Sequence, residues 1–436
     1  MRLGENFCPG VLHAVPAKDG LLMRIRVPGG LIEAHQLRSL AALAAEFADG
    51  TLEITSRANL QLRAIRAENL AQITQAVAYC GLLPSPLHDR VRNIVSSPIA
   101  GLDPYEIVDP RVAVRELDRA LIANPLFAAL HPKFSFGIFG GRRRFSLDAD
   151  DLTLEALAPT SFRLTIAGAV TSFLVTASEA VDRLLNAAEV CLAIAQESGV
   201  PGRAKKIAAI PGAIERIAAN LAPIPLPGNS FVEPLLGTYP AAEGDSVNIV
   251  PSVELGRITS AQAFRLADMA DFWLADLRLA PWRGVVFGGV PFEFAEAIAD
   301  QLAAIGLACD GADGFRGIAA CAGIAGCDAA LTDVRAHAAA LARVLRNHPA
   351  PNGWSVNLSG CDKQCARRHG ASADLIAEPT GYTLKLRGQI AATACSPEFA
   401  IHTIAALHNT PGAPSQTVPT FEVGSHTLQS QLEAAQ

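Results

Sequence analysis

The strongest constraint on this chain is that it repeats itself. Ile99-Ala-Gly101 with Asp103 recurs as Ile324-Ala-Gly326 with Asp328. Pro159-Thr160, Phe162, Leu164 and Gly168 recur as Pro379-Thr380, Tyr382, Leu384 and Gly388. Leu277-Arg-Leu-Ala-Pro-Trp-Arg-Gly-Val-Val-Phe287 takes the place of Leu52-Glu-Ile-Thr-Ser-Arg-Ala-Asn-Leu-Gln-Leu62. The matches share one order and a separation of about 220 to 225 residues, which is the signature of a tandem duplication. A seam is expected in the proline-rich stretch Leu221–Asn229, read as a linker.

Each copy reads as a mixture of strands and helices. Residues 20–27 alternate Met, Ile and Val with Arg and predict a half-buried strand, closed by the turn Pro28-Gly-Gly30. Leu37, Leu40, Ala44 and Phe47 recur at helical spacing before Gly50, and Leu52–Ser56 returns as a strand. A helix over Glu68–Tyr79 completes a small α+β unit, and Ser260 opens the corresponding helix of the second copy.

The second copy alone carries four cysteines at metal-like spacing. Cys321 and Cys327 form C-x5-C, and Cys361 and Cys365 form C-x3-C. Four thiolates on two short loops suit a metal centre, and zinc and iron–sulfur are the alternatives. Structural zinc loops usually place two to four residues between paired ligands, so the five-residue arm favours a [4Fe-4S] cluster. Scattered core thiols are the bland reading.

That quartet resembles the C-terminal cluster domain of the siroheme sulfite and nitrite reductase superfamily. Cys8-Pro-Gly10, Asp19–Gly30, Thr55–Arg63, Arg92-Asn-Ile-Val-Ser-Ser-Pro98 and Pro132-Lys-Phe-Ser-Phe-Gly137 are similar, within it, to the precorrin-3B synthase family, the oxygen-using branch of aerobic cobalamin synthesis. The resemblance implies an α+β fold, a tandem pseudo-twofold duplication of ferredoxin-like half-domains and nitrite/sulfite reductase-type α+β domains. The bounds expected are 1–80 and 81–220 for the first copy, 230–308 and 309–408 for the second, and a polar tail over 409–436. It further implies that Cys321, Cys327, Cys361 and Cys365 bind the cluster, with a mononuclear non-haem iron expected from the family. Arg57, Arg92 and Lys133 would hold the carboxylates of a tetrapyrrole, precorrin-3A, which O2 and two electrons convert to precorrin-3B. Overlaying the copies sets the cysteine loops opposite Ser97–Leu102 and Gly141–Phe145, so the first copy would supply a cationic half-site. Arg142–Arg144 reads as a solvated turn, and Arg367, Arg368 and His369 either bind carboxylate or face solvent.

One departure bears on the chemistry. The siroheme reductases carry a Lys-x-Lys pair that clamps and protonates a small oxyanion, whereas this chain reads Lys133-Phe-Ser135. The reductase reading loses a proton donor and a charge. It stays as one alternative, with siroheme bridged through Cys365, and a non-enzymatic tetrapyrrole or electron carrier is the other.

The remaining features exclude more than they assign. Cys80 and Cys191 fit apolar helices, Cys309 and Cys395 lack paired spacing, and Cys8 precedes a turn where it could face a pocket. The histidines form no H-x3-H pair, and His88-Asp89 and His131 read as structural. Gly288-Gly-Val-Pro291 lacks the dinucleotide fingerprint, so electrons are expected from a separate donor protein, with NADH as ultimate reductant. A net charge of −6 gives no footprint for nucleic acid, no run of about 18 apolar residues predicts a membrane span, and no apolar leader follows Met1. Nine cysteines, an odd number, fit a cytoplasmic location better than a disulfide framework.

Overall fold

The computed structural model describes residues 8–141, 149–226, 235–348, 350–351, 353–367 and 370–408. The first copy opens with β1 (Val15–Ala17), β2 (Gly20–Ile25), α1 (Ala34–Phe47), β3 (Thr51–Ile54), β4 (Leu60–Ile65) and α2 (Leu70–Tyr79). Met23, Ile25, Leu60 and Leu62 face the core from the sheet, and Leu37, Leu40, Ala41 and Ala44 meet them from one stripe of α1. It continues through β5 (Ile94–Ser96), α3 (Arg111–Ala123), β6 (Phe136–Phe139), β7 (Leu152–Ala158), β8 (Ser161–Ile166), β9 (Ser172–Thr176), α4 (Ala180–Ser198), short α5 (Ala204–Ile207) and α6 (Ala213–Ile217), and β10 (Ala222–Ile224). These strands make a sheet ordered β10-β9-β8-β7-β6-β5, parallel from β5 to β7 and antiparallel beyond.

The second copy repeats the plan. β11 (Gly237–Pro240), β12 (Ser246–Val250), β13 (Arg257–Thr259), α7 (Ser260–Trp273), β14 (Asp276–Ala280), β15 (Gly284–Pro291) and α8 (Ala295–Ala304) build a second ferredoxin-like half. β16 (Ile318–Ala320), α9 (Gly323–Gly326), α10 (Val334–Leu345), β17 (Val356–Ser359), β18 (Ala373–Glu378), β19 (Gly381–Leu386), β20 (Gln389–Cys395) and α11 (Pro397–His408) follow. Their sheet runs β16-β17-β18-β19-β20 with the same parallel-then-antiparallel change. The expected duplicated α+β fold is what the chain adopts.

The repetition extends to single hydrogen bonds. Gln36 in the first turn of α1 accepts from Glu33 N–H and donates to Cys80 O, at the end of α2. Gln262 in the first turn of α7 accepts from Thr259 N–H and donates to Ile305 O, at the end of α8. One capping glutamine per copy thus starts one helix and ties it to the end of the next.

The ferredoxin-like halves share one core, built from both copies. β13 pairs with β3 through Arg257 opposite Glu53, and Leu31 makes the reciprocal bridge to Arg278 on β14. Each copy therefore extends the other's sheet about a pseudo-twofold axis. The seam differs from its expectation. Ala222–Ile224 is not linker but β10, an edge strand on β9, a position where Pro223 costs no ladder hydrogen bond to a further strand. Residues 227–229 lie outside the described set.

Candidate metal centre and cationic wall

β16 and β17 run parallel, with Ile318 opposite Val356 and Ala320 opposite Leu358, so their carboxyl ends open side by side. Cys321 follows β16 directly, and its N–H donates to Leu358 O at 3.3 Å. The chain then turns through α9, entered at Gly323 with φ 64, and delivers Cys327. A side chain at Gly323 would meet Val334 and Thr332 as well as the left-handed backbone. Past β17, Gly360 donates its N–H to Cys321 Sγ at 3.3 Å, and its carbonyl accepts from Leu331 N–H at 2.8 Å. Those two bonds lace the Cys321 and Cys361 loops together.

Cys321, Cys327 and Cys361 are half-buried and Cys365 is exposed. Among the described residues, no three His, Cys, Asp or Glu side chains stand close enough to share a single metal ion. A cuboidal cluster sets its ligand sulfurs farther apart than one ion does. The Gly360 N–H beside Cys321 Sγ is a donor that a thiolate ligand of such a cluster would accept.

The first copy holds these loops from outside. Arg63 on β4 pairs with Asp19 through two bonds of 2.9 Å, and its Nη2 also donates to Gly326 O at 2.5 Å. Burial works against its charge, but Asp19, Glu53 and Asp49 together outweigh burial and hold the guanidinium above its ordinary value. A Cβ at Gly326 would lie 2.5 Å from Arg63 Nη2, so glycine is required there for close approach. Glu53 on β3 receives Arg335 from α10, pairs with Arg257 at 3.4 Å and accepts from Gln61 at 3.1 Å. Arg283 between β14 and β15 donates to Ala366 O at 2.6 Å, behind the last cysteine.

The pseudosymmetric place in the first copy is filled instead. Ile99 and Leu102 pack with Val250 and Val286, and Leu102 O accepts from Ala242 N–H and Asn248 Nδ2. Gly288 occupies the position matching Arg63, and a Cβ on it would lie 2.3 Å from Leu102. One copy thus offers a polar cradle and the other a plugged one.

The predicted cations have unequal surroundings. Arg57 sits in the turn between β3 and β4, fixed by Thr55 Oγ1 accepting from Arg57 and Asn59 N–H, and its Nε is buried without a partner. Cys8 and Arg24 are its electrostatic neighbours. Arg92, expected to hold a substrate carboxylate, is engaged within the protein. It is 5% exposed, bonds Asp118 on α3 twice at 2.7 Å, and donates to Leu82 O. Lys133 is half-buried, and its N–H donates to His131 Nδ1 at 3.1 Å. Among the described residues, no hydrogen bond or ion pair joins Arg57, Arg92 and Lys133 to one another. Arg142–Arg144, Arg368 and His369 lie outside the described residues, whereas Arg367 O accepts from Asn357.

The structural readings of the other groups agree with their contacts. His88 is buried between Ser85 and Asn124 O, and Asp89 caps the N–H groups of Val11 and Leu12. Cys80 and Cys191 are buried, and burial pushes the Cys191 thiol up to about 12. Sequence reasoning missed Arg63, Arg283 and Arg335. The available signal was polarity inside strands, since Gln61 and Arg63 interrupt the apolar Leu60 and Leu62. No helix among the described residues is long and apolar enough to cross a membrane.

Comparison with known proteins matches these features. Residues 13–78 and 239–305 each match the nitrite/sulfite reductase ferredoxin-like half domain. A precorrin-3B synthase of Sinorhizobium sp is 30% identical over 419 residues, covering 89% of this chain and 83% of its own. A ferredoxin–nitrite reductase of Synechococcus elongatus is 26% identical over 398 residues, covering 83% and 77%. The structure of the Mycobacterium tuberculosis NirA protein shares the fold with a TM-score of 0.73 at 21% identity, covering 90% of this chain and 82% of that one.

Proposed function

The chain belongs to the precorrin-3B synthase family, within the wider group of nitrite and sulfite reductases, and from that premise we propose that it is an oxygen-using oxidoreductase of corrinoid biosynthesis. In the proposed reaction, precorrin-3A, O2, two electrons and two protons give precorrin-3B and water. One oxygen atom enters as a hydroxyl at C20, the ring A acetate closes a γ-lactone, and the other oxygen leaves as water. Cys321, Cys327, Cys361 and Cys365 would hold a [4Fe-4S] cluster, which when bound supplies electrons one at a time from an external donor protein. A mononuclear non-haem iron belongs to the proposal because four thiolates leave such a cluster no open position for O2.

The chain's own residues would bind and orient. Arg57 and Lys133 pair with carboxylates at the macrocycle's rim and fix which meso carbon faces the oxidant. Arg92 supports the wall through Asp118 rather than touching substrate. Arg63 and Arg335 tie the second copy's cysteine domain to the first copy, and Arg283, within the second copy, holds the chain behind Cys365.

The observation that carries the choice of chemistry is Ser135. It stands where the resembled reductases carry their second lysine, is fully buried, and donates its N–H to Asp151 at 3.0 Å. No ammonium is available there to protonate a bound oxyanion. The reductase reading keeps one favourable observation, the exposure of Cys365, the residue that would bridge to siroheme iron. Protein purified without oxygen separates the two by absorption and iron analysis. The proposal expects a broad iron–sulfur band, no siroheme band and more iron than the cluster holds. Tightly bound siroheme with sulfite or nitrite turnover would overturn it, and a cluster protein inert to both substrates would indicate a carrier.

A further inference from the structure

Among the described residues, the guanidiniums of Arg24 and Arg26 converge on Cys8 without a carboxylate partner, and Arg57 lies near enough to act on the same thiol. Arg24 donates from Nε to Gln61 Oε1 at 2.9 Å, and from Nη1 to Cys8 Sγ at 3.4 Å. Arg26, 1% exposed, donates from Nη2 to Cys8 Sγ at 3.5 Å, to Pro9 O at 3.3 Å and to Arg90 O at 3.2 Å. Its Nε and Nη1 are buried with no partner, as is Arg57 Nε. Among the described residues none of the three forms an ion pair with a carboxylate.

The nearby carboxylates are engaged elsewhere. Asp89 accepts from Val11 and Leu12 N–H and from His13, and Glu53 is held by Arg335, Arg257 and Gln61. The acidic group within reach of both Arg24 and Arg26 is therefore the Cys8 thiol. Two residues on, Gly10 packs so closely that a Cβ on it would lie 2.2 Å from Asp89 Oδ2, and its carbonyl accepts from Arg24 N–H. Buried cations lacking an anion are costly, and a thiolate relieves that cost where a thiol does not. Burial of Cys8 alone would raise its pKa, but Arg26, Arg24 and Arg57 together outweigh burial and lower it.

We propose that Cys8 is the resident counter-ion of an anion site formed by Arg24, Arg26 and Arg57, and that an entering ligand carboxylate displaces it and leaves it protonated. The carboxylate stays ionised and takes over the guanidiniums, which it can bridge bidentately. The thiolate, now beside a like charge and short of cations, takes one proton from solvent. Cys8 is thus a positioning residue: it keeps the arginines arrayed before ligand arrives. The ligand class, a polycarboxylate tetrapyrrole, rests on the proposed function, whereas the counter-ion role does not.

The test uses the full chain and uroporphyrin as a stable polycarboxylate tetrapyrrole. In ligand-free protein, the ultraviolet thiolate difference between wild type and Cys8→Ser should titrate below the ordinary thiol value of about 8.5, and a single step at or above that value would overturn the proposal. The pH profile of Cys8 alkylation in wild-type protein, read by mass spectrometry, supplies the same answer should the variant fold poorly. Calorimetry at a pH above the Cys8 step, in buffers of different ionisation enthalpy, should then count about one proton taken up per ligand in wild type and about none in Cys8→Ser or Cys8→Asp. Uptake equal in all three, or absent from wild type, contradicts displacement. Failure of wild-type protein to bind uroporphyrin would overturn the tetrapyrrole reading instead, and citrate then serves as the carboxylate for the same proton count.

Discussion

Replacing Arg63 by Met should loosen the first cysteine loop more than it loosens the protein. The wild-type guanidinium is 6% exposed and its partner Asp19 is 22% exposed, so this is a nearly dry pair that also holds Gly326 O. Removing one partner of a buried pair costs about 3 to 5 kcal/mol, and the water that can reach Asp19 places this case at about 3 kcal/mol. The exposed Arg38, which pairs with Asp268 and Asp271, is the control, and Arg38→Met should cost under about 1 kcal/mol. Urea midpoints report the stability change. The rate at which an iron chelator strips the loaded protein reports the loop. Arg63→Met should release iron several-fold faster than wild type, and Arg38→Met at the wild-type rate. Wild-type release from Arg63→Met, despite its lower midpoint, would refute the argument that the first copy clamps the loop.

Two further substitutions test the electrostatics. Burial, opposed by the Gly101 N–H and reinforced by Asp103 and Asp109, raises the Glu106 carboxyl from 4.5 to about 8. A carboxyl raised in the folded state takes stability away as pH climbs from the unfolded value toward the folded one, so wild-type melting temperature should fall between about pH 5 and 8. Glu106→Gln, which keeps an acceptor for Gly101, should flatten that slope, and an unchanged slope would count against the shift. Arg92→Met leaves Asp118 without its partner and should destabilise by about 3 kcal/mol, with the loss largely restored by adding Asp118→Leu. Equal destabilisation in the double variant would show that Arg92 matters for something other than Asp118.

The duplication was legible because some of its repeated residues answer to backbone geometry. Gly168 and Gly388 recur since both stand at positive φ, 85 and 81. Gly101 and Gly326 recur since each lies against a guanidinium, Arg111 in one copy and Arg63 in the other. The cysteine spacing was legible for a similar local reason, as each loop follows a strand end. What stayed hidden was long-range. Nothing near Arg63 in sequence announces Gly326, and nothing near Arg92 announces Asp118, so one cation was overlooked and another was expected to face substrate. Proline at 223 suggested a linker because it breaks ladders, yet an edge strand has a side where no ladder continues.

The measurement that bears most directly on the proposed chemistry is turnover of precorrin-3A under isotopically labelled dioxygen, with a reductant and an electron-donor protein. The account predicts a product heavier by one oxygen atom that carries the label, formed only when oxygen is present. Unlabelled product, or product formed equally well without oxygen, would contradict it.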